Sequence, residues 1–101
     1  MIADVALKNK QYLVFNPQNK EIARGWENTL GELLGFTGTF IVFRRNKQIL
    51  TMDERFKEIA RGWENTLGEF RNVTGTTISF LKNKQIITCD VKLKEISRRW
   101  A

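Results

Sequence analysis

Thirteen residues, KEIARGWENTLGE, occur at 20–32 and again, letter for letter, at 57–69. The step is 37 residues, and one more step reaches Lys94, where KEISRRW begins. The register also holds upstream, with KNKQ at 8–11, RNKQ at 45–48 and KNKQ at 82–85. A chain with such a period is not free to fold as an arbitrary globule. Each unit is one supersecondary piece that buries its apolar side against its neighbours. The 101 residues therefore read as a single domain of three repeats, 1–37, 38–74 and 75–101, the last truncated.

The middle unit opens with two β-rich runs, TFIVFR and QILTM, joined by RNK. Asn46 tolerates a left-handed backbone, so the spacing predicts a tight hairpin turn at Asn46 and Lys47. The stretch from Asp53 onward reads as a helix, with Asp53 as its N-cap. Phe56, Ile59, Ala60, Trp63, Leu67 and Phe70 fall on one face at helical spacing. In the first unit Asn16 takes the cap position and Pro17 the first helical position. In the third, Asp90 takes the cap before Leu93, Ile96 and Trp100. The expected fold is α+β: three tandem β-hairpin–helix (ββα) repeats, six mainly antiparallel strands, helices on one face, and approximate threefold repetition. On this reading Trp26, Trp63 and Trp100 belong to the core.

The hairpins pose a problem for that fold. If Asn46 and Lys47 form the turn, Ile41, Phe43, Leu50 and Met52 share one face, and Phe40, Val42, Ile49 and Thr51 share the other. The second face is Val5, Leu7, Tyr12 and Val14 in the first unit, and Ser79, Leu81, Ile86 and Thr88 in the third. A solvated sheet face is mostly polar, whereas this one is half apolar in every unit. Helices cover only one face. The other is expected to close as a barrel, to pack on a second copy of the chain as a homo-oligomer, or to bind something.

Chemistry is sparse. The chain has no histidine and one cysteine, which leaves no usual zinc set and no paired nucleophile and base. Glu27 with Glu32 and Glu64 with Glu69 are spaced poorly for two groups meant to meet on a helix. The expectation is a protein that is not an enzyme, with no cofactor and no metal. No apolar run is long enough to span a bilayer, so no membrane partner is expected. A lone thiol, Cys89, fits a small buried apolar residue in a reducing, cytoplasmic setting.

The net charge of +6 favours phosphate-bearing partners. The best site candidate is the set of hairpin tips: Lys8, Asn9 and Lys10; Arg44, Arg45, Asn46 and Lys47; Lys82, Asn83 and Lys84. Turn geometry accounts for the asparagines but not for the flanking cations. The tips are expected to contact the phosphates of DNA or RNA, aided by basic residues such as Lys20, Arg24, Lys57, Arg61, Lys94, Arg98 and Arg99. Whether the tips gather at one end depends on the path of the connectors. A protein-interaction or self-assembly module using the second sheet face is the alternative. Identity confined to one thirteen-residue segment fits either a shared binding face or a sequence copied by design.

Overall fold

The computed structural model describes residues 1–100. It is built from eleven strands and two four-residue helical turns. Strands β1 (Asp4–Lys8), β2 (Gln11–Phe15) and β3 (Glu21–Trp26) form the first sheet, in that order. The turn α1 (Glu27–Leu30) leads to a second sheet of β4 (Glu32–Phe36), β5 (Ile41–Arg45), β6 (Gln48–Met52) and β7 (Glu58–Trp63). The turn α2 (Glu64–Leu67) leads to a third sheet of β8 (Glu69–Thr74), β9 (Thr77–Lys82), β10 (Gln85–Asp90) and β11 (Glu95–Trp100). Every pairing is antiparallel between sequence neighbours.

The hairpins stand where the sequence puts them. Asn9 and Lys10, Asn46 and Lys47, and Asn83 and Lys84 all have positive φ, the two-residue turn that matches strand twist. The expected long helices do not form, only the four-residue turns α1 and α2 being helical, and the α+β, ββα expectation is wrong. The segments assigned to them form the third strand of the first sheet and the fourth of the other two. Asn16, Asp53 and Asp90 are not helix caps. Asp53 Oδ1 accepts from the amides of Arg55 and Lys57 at 2.8 and 2.9 Å, and Asn16 and Asp90 do the same in their units. Each side chain thus organises a tight turn, a role that draws on the same residue types as capping. Asn19, Phe56 and Leu93 follow with φ near +63°, which no helix accommodates. A short helical stretch is only marginal by itself, while a strand here meets the unpaired edge of β2, β6 or β10. The truncated third helix has no counterpart either. The third sheet has four strands, and the three-stranded sheet is the first.

Two apolar layers hold the sheets together. Val5, Tyr12 and Val14 of the first sheet pack against Ile41, Phe43, Leu50 and Met52 of the second. Phe40, Val42 and Ile49 on its opposite side pack against Ile78, Phe80, Ile87 and Cys89 of the third. In the first two units most of the second face is therefore buried by a neighbouring sheet of the same chain, whereas in the third unit Ser79, Leu81, Ile86 and Thr88 lie on the outer face of the stack. Neither barrel closure nor a second chain is needed to cover it in those two units, and nothing in the structure supports the expected homo-oligomer. Thr51, fully buried, ties the second layer by donating to the carbonyl of Val91 at 2.7 Å.

The outer faces of the stack differ from the inner ones at corresponding repeat positions. On the first sheet Asp4, Ala6 and Asn19 stand where the second has Ile41, Phe43 and Phe56. On the third, Arg71, Ser79, Ser97 and Arg99 stand where the second has Leu34, Val42, Ala60 and Gly62. A Cβ on Gly62 would lie 3.0 Å from Leu67 of the connector packed over it. Arg99 projects from the same face as Ile86, its cross-strand partner, where nothing needs such an approach.

The joint between sheets rests on Gly31 and Gly68. Gly31 has φ 98°, and a Cβ there would lie 2.5 Å from the carbonyl oxygen of Arg44. Backbone strain and a clash with main chain each cost roughly 1–3 kcal/mol. Gly31→Ala is therefore expected to destabilise the protein by about 2–4 kcal/mol, read as a lower urea midpoint at unchanged slope.

Candidate functional site

The turn Glu27–Leu30 fixes where successive hairpin tips lie. The amide of Glu27 donates to the carbonyl of Lys10, in the first tip, at 2.9 Å. The carbonyl of Thr29, two residues on, accepts from the Arg45 guanidinium of the second tip. The pattern repeats one unit later. The amide of Glu64 donates to Lys47 at 2.9 Å, and Lys82 Nζ donates to Thr66 at 2.8 Å. Tip, turn, tip, turn, tip thus run as one hydrogen-bonded line, and all three tips share one end of the stack. The question left open by the connectors is answered by these four bonds. Below the line, Tyr12 Oη donates to the carbonyl of Gly31 at 2.9 Å and accepts from the amide of Leu33 at 3.2 Å. Burial pushes its phenol above its ordinary pKa.

The tryptophans join this end. Trp26, Trp63 and Trp100 pair across the strands with Gln11, Gln48 and Gln85, the first residues after each turn. They are 58%, 57% and 72% exposed, so the assignment to the core is corrected. The helical stripe that placed them inside was never formed. On the last strand of each sheet the tryptophan has a strand on one side only. The signal was present in the sequence as alternation: Ala23 and Gly25 face the next sheet, while Arg24 and Trp26 do not.

Each candidate cation has a definite situation. Arg44 pairs with Glu64 at 3.1 Å, and Arg45 and Lys82 brace the connectors. Lys8, Lys10, Lys47 and Lys84 have no ion pair among the described residues. Asn9, Asn46 and Asn83 supply the left-handed first turn position. Apart from Arg99, paired with Ile86 near the third tip, the other basic residues do not join them. Arg24, Arg61 and Arg98 are each bound by a glutamate three residues earlier, at 2.5–2.6 Å. Those hydrogen bonds hold Glu21, Glu58 and Glu95 below the usual carboxylate range. Lys20, Lys57 and Lys94 lie at the β2–β3, β6–β7 and β10–β11 turns, at the opposite end of the sheets. The paired glutamates serve the joint, with Glu27 and Glu64 opening the helical turns and Glu32 and Glu69 the strands beyond.

No protein-family model, curated protein or solved structure matches the chain. No helix among the described residues is long and apolar enough to cross a membrane. Among the same residues no three thiol, carboxylate or imidazole groups gather as metal ligands would.

Cys89 is 2% exposed. Burial, with smaller contributions from the charges of Glu95 and Asp90, raises its pKa and keeps the thiol protonated. Only the thiolate reacts with disulfide reagents. At about pH 8 the folded protein is expected to react with an aromatic disulfide at least about tenfold more slowly than in concentrated urea. Absorbance of the released thiol gives both rates.

Proposed function

We propose that the protein is a small non-enzymatic binder of single-stranded nucleic acid, engaging the strand along its line of hairpin tips. The observation that carries the reading is the placement of an exposed tryptophan beside each tip of that line. Three cation-bearing turns and three aromatic rings recur in register on one end of a protein of net charge +6. Lysines neutralise phosphates, and rings stack on bases without regard to sequence. Lys8, Lys10, Lys47 and Lys84 supply the charge contacts that no protein carboxylate takes up. Asn9, Asn46 and Asn83 shape the turns, and Arg44, Arg45 and Lys82 hold the tips in line while keeping donors at the surface. Single strands suit the site better than duplex, because stacking needs bases that are free on a face. A lone buried thiol fits a cytoplasmic protein.

Titration of tryptophan fluorescence with oligo-dT and oligo-U tests this. Both are expected to quench the signal, with log K falling by about 0.7 per phosphate contacted as log salt rises. Trp63→Ala should weaken binding by about 1–3 kcal/mol. Lys47→Ala should reduce the salt slope by about 0.7. Absence of binding to single-stranded DNA, single-stranded RNA and duplex at low salt would remove the reading.

A further inference from the structure

A cavity of about 270 Å³ lies between the α2 connector and the third sheet, just under the third tip. Leu67, Ile87, Cys89 and Leu93 supply its apolar wall, and Lys82, Gln85, Glu95 and Arg98 its polar rim. The repeat gives this cavity a built-in comparison, because the same positions recur between the first and second sheets. There Arg45, Met52 and Phe56 stand where the cavity has Lys82, Cys89 and Leu93. Met52 is 5% exposed, and Phe56 lies with its ring 5.9 Å from that of Phe43. Phe56 also reaches to 3.3 Å from the Cβ position of Gly25 across the joint. Leu30 is buried in that joint, whereas its counterpart Leu67 is only partly so. Three exchanges toward smaller side chains therefore converge on one spot. Loss of packing volume costs stability in proportion to the space left.

The rim carries an unbalanced charge. Arg98 donates to Glu95 at 2.5 and 2.9 Å and to Gln85 Oε1 at 3.0 Å, so arginine and glutamate neutralise each other and are held in place. Lys82 spends one proton on the Thr66 carbonyl at 2.8 Å and has two more to donate. No carboxylate pairs with it among the described residues. The cavity volume lies just below the usual range of small-molecule sites, roughly 300–1,000 Å³, which combine an apolar wall with a few directed polar groups, and so suits only a compact ligand.

We infer that this cavity binds a small organic anion with a compact apolar body, of the size of an arylacetate. The apolar body lies on Ile87, Cys89 and Leu93, and the anionic head accepts from Lys82. The inference does not rest on strand binding, although Lys82 belongs to the third tip, and it is tested without nucleic acid. Phenylacetate and its neutral isostere phenylacetamide are titrated into labelled protein and followed by NMR. Phenylacetate is expected to give saturable shifts centred on Ile87, Cys89 and Leu93, with phenylacetamide at least about fivefold weaker. Restoring the bulk of the other joint with Cys89→Met and Leu93→Phe should raise the melting temperature and weaken phenylacetate at least about tenfold. Lys82→Met, which leaves the wall intact, should bind acid and amide about equally, and keeps the test decisive if the double variant does not fold. Absence of saturable shifts with phenylacetate, equal affinity for acid and amide in the unaltered protein, or undiminished binding by a folded double variant would each overturn the inference.

Discussion

The middle sheet is apolar on both faces, and a sheet of that kind needs two covers. Phe40, Val42 and Ile49 point one way, and Ile41, Phe43 and Leu50 the other, and all six are fully buried. Burying side chains of this size stabilises by roughly 1.5–3 kcal/mol each, so neither face is left to water. The chain meets both demands with its own first and third sheets. From that sandwich follow the parallel placement of the three hairpins, the line of tips at one end, and the need for a joint that turns the chain from one sheet into the next.

The thirteen repeated residues are that joint. Glu21 and Arg24 pair across the start of the strand. Gly25 lies under Leu30, which plugs the space between sheets. Trp26 closes the strand, the next four residues make the helical turn whose Thr29 carbonyl meets the following tip, and Gly31 passes against the backbone of Arg44. The second copy does the same between the second and third sheets. Two joints built alike place two tips alike, so the identical letters and the shared orientation of the tips have one cause. Nothing in the structure explains the matching Asn28 and Asn65.

Much of this was legible in the sequence, but not the element that decides the class of fold. The period, the three Asn-Lys turns and the two faces of the central hairpin are local features, and they appear in the structure as read. The strands β3, β7 and β11 read as helices in the sequence because the cues are shared. Asp53 before an apolar run reads as a cap, and in the fold it organises a turn. Ile59, Ala60 and Trp63 satisfy helical spacing by coincidence. What separates the alternatives is non-local: the open edge of β6 and the buried side of the neighbouring sheet. The same error hid the tryptophans, since a residue on an imagined helix stripe is assigned inward. The tips were found as a set of residues, but their alignment depends on hydrogen bonds between positions 16 to 17 residues apart, which no local pattern displays.

Similar sheets stacked face to face present a hazard of their own. A head-to-tail contact that does not close on itself adds subunits without limit and produces filaments. The polar residues on the two outer faces answer this. Asp4 and Asn19 at one end, and Arg71 and Arg99 at the other, place charge or amide groups where a further sheet would have to bring apolar ones. Arg99 in particular fills the position that must be glycine for the next connector to lie down. These side chains oppose growth by the packing that holds the three sheets together, and they do so at both ends of the stack.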